Sequence, residues 1–176
     1  TGEGADEIFG GYPWFYKEES FAMRAFPWSF DMKPRQTLLA DTWIERLPME
    51  EYAREAYEKT IEDTPALEGE TGREKRRREI SYLNLKWFMA TLLDRMDRTS
   101  RACGLDARVP FADERIVQDF WNVPWDMKYR NHTVKGLLRF AGEGLLPKDV
   151  LWRKKSPYPK TYNPFYEKLL GEELKG

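Results

Sequence analysis

Cysteine and histidine are nearly missing from the 176 residues, with one of each. A lone Cys103 makes no internal disulfide, and with His132 as the single histidine no His/Cys zinc site can be assembled. No apolar run approaches the roughly 18 residues that a membrane span needs. Nor is a secretory signal or transit peptide visible at the start, so a cytoplasmic setting with no membrane partner is expected. Charge of one sign is also lacking: 29 Lys and Arg against 30 Asp and Glu leave a net −1. The chain as a whole therefore has no pull toward nucleic acid or an anionic surface, and any cationic function is local. Strand patterns and internal repeats are nearly absent as well.

What is present is a globular composition, 41% hydrophobic and 34% charged, with aromatic residues at 15% and seven tryptophans. The length suits one domain, residues 1–176, or part of a larger one. The rings are expected to pack in a helical core. Between Pro13 and Pro34 the aromatic residues are interrupted by prolines, which predicts a short helix and then a packed loop. The spacing of Leu38, Leu39, Trp43, Ile44 and Leu47 predicts an amphipathic helix over 37–47, and that of Met49, Tyr52, Ala53, Ala56, Tyr57 and Ile61 another, ended by Asp63-Thr64-Pro65. Residues 80–96 are apolar on several sides and predict a buried central helix. Asp113 reads as an N-cap for a helix bearing Ile116, Val117, Phe120 and Trp121. A short helix over 134–142 would set Lys135 and Arg139 four apart on one face.

The charged and glycine-rich segments carry the chemistry. Residues 1–12 gather four glycines and three carboxylates. Gly2 and Gly4 allow positive φ and close approach to a ligand, while Asp6 and Glu7 open a helix whose first N–H groups face anions. Carboxylates beside such a loop imply a divalent cation between them. A loop of this kind at the very start suggests a missing upstream part. Residues 73–78 form a short basic run, read as a solvated helix face rather than a nucleic-acid patch because Glu74 interrupts it. Asp94-Arg95-Met96-Asp97-Arg98 ends the central helix, and such charges need partners if they are buried. Residues 152–160 set four cations beside two prolines, a rigid cationic loop suited to phosphates or carboxylates. His132, in a polar Asn-His-Thr context with no nucleophile motif, reads as an exposed loop residue.

Three of these segments occur in a fixed order: Thr-Gly-Glu-Gly-Ala-Asp-Glu-Ile-Phe-Gly-Gly-Tyr at 1–12, Asp-Arg-Thr-Ser-Arg-Ala-Cys-Gly-Leu-Asp-Ala-Arg-Val-Pro-Phe-Ala-Asp at 97–113, and Arg-Lys-Lys-Ser-Pro-Tyr-Pro-Lys-Thr at 153–161. Together they resemble the glutamine-hydrolysing asparagine synthetases, over essentially the whole chain but only the C-terminal half of that family's synthetase domain. The resemblance implies a mainly α fold, the C-terminal helical part of an adenine-nucleotide-hydrolase-like α/β domain with most of the parallel sheet missing. It implies a ligase that uses ATP and Mg2+ to activate aspartate as β-aspartyl-AMP, which ammonia, drawn from glutamine in the full-length protein, converts to asparagine. The family's N-terminal glutaminase cysteine and its Ser-Gly-Gly-x-Asp-Ser pyrophosphate loop are not in this sequence. The fragment alone is therefore expected to be inactive, and an apolar face left exposed is expected to favour self-association.

Position by position, the resemblance makes Glu3 the loop glutamate near the reacting carboxyl and the attacking amine, and Asp6 a magnesium carboxylate. It makes Lys155 the lysine that stabilises charge on the acyl-adenylate and pyrophosphate. Gly2, Gly4, Arg95, Lys135 and Arg139 fall to substrate and ATP binding. Glu7 stays open between a metal role and simple complementarity to a helix N-terminus. Asp97 and Arg108 are read as a structural ion network, and Arg101 stands where many relatives carry methionine. Two alternatives remain: a related adenylating enzyme such as a β-lactam synthetase or peptide cyclase, and a non-catalytic helical interaction module.

Overall fold

In a computed structural model, which describes residues 1–29, 31–155 and 163–174, every regular element is helical and no strand occurs among the described residues. Twelve α-helices are described. In chain order they are α1 (Ala5–Phe9), α2 (Glu18–Ala22), α3 (Lys33–Gln36), α4 (Asp41–Ile44), α5 (Met49–Glu62), α6 (Gly72–Leu83), α7 (Ala90–Ala102), α8 (Glu114–Trp121), α9 (Trp125–Lys128), α10 (Gly136–Ala141), α11 (Lys148–Leu151) and α12 (Pro164–Glu173). The chain divides into two units, Thr1–Ala141 and Gly142–Gly176. The second carries α11 and α12, the latter capped by Asn163, whose side chain accepts the Phe165 N–H at 3.0 Å.

The first unit is built along one long helical run. Between α6 and α7 the chain does not break but passes through a π-helical turn, Asn84–Met89. Such turns insert an extra residue into a helix and recur near functional sites. Ile80, Leu83 and Asn84 are fully enclosed at this junction. Among the described residues neither atom of the Asn84 side-chain amide finds a hydrogen-bond partner, which is uncommon for buried polar atoms. Three apolar clusters lie along this run. Ala5, Ile8 and Phe9 of α1 pack with Leu85, Phe111 and Phe120. Phe15, Ile80 and Trp125 form the second cluster, and Phe26, Tyr57 and Leu83 the third. The aromatic excess is thus spent on ring-on-ring packing in the first unit, as in the edge-on Phe9–Phe111 contact at 5.9 Å and the stacked Tyr12–Trp14 pair at 4.4 Å.

Several expectations from periodicity hold and two change. α5 ends at Glu62, and α8 starts under an Asp113 cap whose carboxylate accepts the Arg115 N–H at 3.0 Å. The helix expected over 37–47 shrinks to the four residues of α4, because Ala40 is extended and Leu38, Trp43 and Leu47 stand 86%, 54% and 44% exposed, with the Arg46 guanidinium 5.9 Å from the Trp43 ring centre. A one-faced pattern without a surface to bury against does not sustain a helix. The central helix is buried only in its first part, for no residue of α7 is buried.

A polar pin joins α5 to the π turn. The Trp87 indole N–H donates to the Thr60 hydroxyl at 2.9 Å, and that hydroxyl donates to the Ala56 carbonyl at 2.6 Å. Thr60→Val keeps the shape but removes the acceptor, so chemical denaturation is expected to show a loss of about 1–3 kcal/mol from the stranded indole N–H.

Candidate active site

The glycine turn that opens the chain can be built only from glycine at Gly4. Its φ of 91° is left-handed, and a Cβ there would stand 3.2 Å from the Phe111 backbone carbon and 3.3 Å from the Ala112 nitrogen. The turn is thereby pressed against the Pro110–Ala112 turn of the second sequence motif. At Gly2, by contrast, an added Cβ would meet nothing within 4 Å. α1 is only five residues long, so the anion-facing dipole expected at its start is short.

The three carboxylates of the motif separate into three environments. Glu3 directs Oε1 toward the Arg95 guanidinium at 3.4 Å, while Oε2 is buried with no hydrogen-bond donor among the described residues. Asp6 meets the Lys135 ammonium, 2.8 Å from Oδ1, with both side chains about one-fifth exposed (24% and 21%). Glu7 is buried and accepts the Tyr12 hydroxyl at 2.7 Å. Burial first, and then that bond to Glu7, push the Tyr12 hydroxyl well above its ordinary pKa. Glu7 thus ties the helix of the motif to the tyrosine at its end. No group of three or more His, Cys, Asp or Glu suited to hold a metal alone exists among the described residues.

Lys135 reaches Asp6 by an unusual backbone. Asn131, His132 and Lys135 have φ of 52°, 55° and 57°, left-handed values that cost energy outside glycine. The expected pairing of Lys135 and Arg139 on one helix face is corrected here, because α10 starts only at Gly136 and Lys135 precedes it. The reason is steric: a Cβ at Gly136 would lie 2.8 Å from the Arg130 backbone nitrogen and oxygen, so the chain must cross there before a helix can start. Arg139 braces the same loop by donating from Nε to the Val134 carbonyl at 3.0 Å. His132 is exposed, as its polar context predicts.

Replacing Lys135 with Met would leave the Asp6 carboxylate beside an apolar chain. For a pair this far from full burial, a loss of about 1–2 kcal/mol is expected in chemical denaturation, between the values for exposed and buried pairs.

The charged end of the central helix is not the buried network expected. Arg98 bonds Asp94 at 2.8 Å, Arg101 bonds Asp97 at 2.7 Å and Arg108 pairs with Asp106 at 2.6 Å, all at exposed positions. Arg101 supplies the partner of Asp97. Of this segment Arg95 meets Glu3 of the opening motif through its side chain, and the Arg108 carbonyl accepts the Thr1 amino group at 2.8 Å. Lys155 lies in the second unit, exposed and outside any helix, and residues 156–162 of the cationic tail lie outside the described residues.

The basic run 73–78 is likewise corrected, since its last three arginines are not a solvated face. The side chains of Arg76, Arg77 and Arg78 are 13%, 16% and 9% exposed. They pair with Glu79 at 2.8 Å, Glu74 at 2.7 Å and Glu70 at 2.6 Å, and lie over the rings of Tyr57, Trp125 and Trp121. Alternation with Glu was the available signal. It was compatible with salt bridges on a surface, and the surrounding rings are what bury them.

The glycine turn whose Glu3 and Asp6 meet cations from distant parts of the chain lies in a sequence that the asparagine synthase family model matches over residues 1–175, and the chain belongs to that family. It is 52% identical over 175 residues to glutamine-hydrolysing asparagine synthetase 3 of Bacillus subtilis, covering 99% of this chain and 28% of that relative. It is 38% identical over 88 residues to the human glutamine-hydrolysing asparagine synthetase, covering 48% of this chain and 16% of the relative. The chain thus spans under a third of the length of these proteins.

Proposed function

We propose that this chain provides the carboxylate-bearing part of an asparagine-forming active site, in which ATP activates aspartate and ammonia completes the amide. An oxygen of the aspartate side-chain carboxylate attacks the α-phosphorus of ATP and pyrophosphate leaves. The ammonia nitrogen then attacks the acyl carbon, the bond to AMP breaks, and nitrogen gives up its surplus proton. The observation that supports this reading best is Glu3 Oε2, a buried carboxylate oxygen without a donor. A position that strands an acceptor at a free-energy cost suits a group that receives an N–H from ammonium or from the amine as it attacks.

Arg95 orients Glu3 and offers its remaining donors to the substrate carboxylate. Gly2, where the chain itself needs no side-chain space, leaves room for the nucleotide, and Gly4 sets the turn. A single carboxylate facing a cation fits Mg2+ of the kind shared with phosphates, for which Asp6 would be the protein ligand. When bound, such an ion neutralises the charge of pyrophosphate. Lys135 and Arg139 then belong to the phosphate side of the site, and Lys155 to stabilising the leaving group. Aspartate-dependent exchange of labelled pyrophosphate into ATP, and asparagine formation from aspartate, ATP and ammonia, are the tests on the full-length enzyme. Absence of both would overturn the reading.

A further inference from the structure

A second cleft lies within the first unit, between the start of α6 and the segment from Trp121 to Lys128, and none of the residues proposed for asparagine formation lines it. Its volume, about 500 Å³, is in the range that small ligands occupy. Two of its three cations are already engaged. Arg78 donates to Glu70 at 2.6 Å and to Asn122 at 3.0 Å, with its guanidinium 5.2 Å from the Trp121 ring centre. Arg77 donates to Glu74 at 2.7 Å and stacks 5.2 Å over Trp125.

Lys128 differs from both. It is only 6% exposed, it borders the cleft, and no acceptor among the described residues bonds its ammonium. Burial, and then the positive charge of Arg78, push its pKa down to about 8, so it keeps its proton at neutral pH but is poorly solvated. A buried cation without a counter-ion is costly, and an anion seated in the cleft would relieve that cost.

We propose that this cleft is a ligand site for a small carboxylate with an apolar or aromatic body, the carboxylate closing on Lys128 and the body lying along Trp121, Val123 and Trp125. Of the three carboxylates of the lining, Glu70 and Glu74 are taken up by the arginines and Glu68 is exposed to solvent, so the buried Lys128 ammonium is the cation left for one negative charge. A phosphate dianion would find both arginines already paired with carboxylates and the oxygens of Glu68, Glu70 and Glu74 repelling it. The proposal stands apart from the asparagine-forming reading, because it shares no residue with that site.

The test is calorimetric titration of the full-length enzyme with 3-phenylpropionate, its neutral amide 3-phenylpropionamide, and inorganic phosphate. The acid is expected to bind saturably, with the amide and phosphate weaker by about tenfold or more. Lys128→Met, which removes an unpaired buried charge and keeps the stem, is expected to weaken the acid by a similar factor while leaving asparagine formation unchanged. On the unmodified enzyme, the Lys128 pKa followed by NMR of labelled lysine is expected to rise with the acid and not with the amide. Equal binding of acid and amide, tighter binding of phosphate, unaltered binding by Lys128→Met, or no binding of the acid at tens of millimolar would overturn the proposal.

Discussion

Glu3→Gln in the full-length enzyme is expected to lower asparagine formation by about 10²–10⁴-fold, the range associated with loss of a positioned general base. The substitution is nearly isosteric, and the contact of Oε1 with Arg95 can be kept by an amide oxygen. What changes is Oε2, now an NH2 that donates where the carboxylate accepts. Aspartate-dependent pyrophosphate exchange reports the adenylation half alone, and it is expected to fall far less than amide formation. Equal loss of both would assign Glu3 to adenylation or to the architecture of the turn instead of to the amine. With the proposed role on ammonia itself, the loss should be the same whether ammonia is supplied directly or from glutamine.

The second large effect is expected at a residue with no side chain. A Cβ on Gly11 would sit 2.7 Å from the Asp6 Cβ and overlap its carboxylate, while the Gly11 N–H donates to the Asp6 carbonyl at 2.7 Å. Gly11→Ala therefore cannot be absorbed by a flexible tip, since the clash is with the short Asp6 side chain one helical turn away. Overpacking of this kind costs about 1–3 kcal/mol. Asp6 would have to swing off Lys135, so activity should fall with stability. A drop in the denaturation midpoint with unchanged dependence on Mg2+ would mean that Asp6 keeps its place and that the motif yields elsewhere. Gly2→Ala is the matched control for stability alone, because no protein atom lies within 4 Å of its added carbon while the room there is proposed for the nucleotide.

How far the sequence spoke depends on the range of the interaction that decides each feature. α5 and the Asp113 cap were readable because both are settled within a few residues, by apolar spacing and by one side chain reaching one N–H. The opening motif was readable as a pattern, whereas nothing local announced the contact of its Glu3 with Arg95. Its internal division of labour was not readable either, because the burial of Glu7 and its bond from Tyr12 depend on how α1 seats in the core. The left-handed backbone at Lys135 was hidden too, since lysine does not advertise positive φ and the cause is the crossing of Gly136 over Arg130. The arginines at 76–78 misled for the same reason: charge predicts solvent, and only the rings of Tyr57, Trp121 and Trp125 make these residues interior.

The π-helical turn at Asn84–Met89 sets the phase of everything beyond it. One residue added to a helix rotates the downstream part by about 100° and advances it by about 1.5 Å. Arg95 lies six residues past that turn, so its azimuth toward Glu3 depends on the inserted residue as much as on its own identity. Deleting one residue within the turn would restore a regular helix and carry the guanidinium about a quarter-turn away from the opening loop. The central helix thus works as an indexed shaft, and the count of residues in its widened collar decides which side chain faces the chemistry.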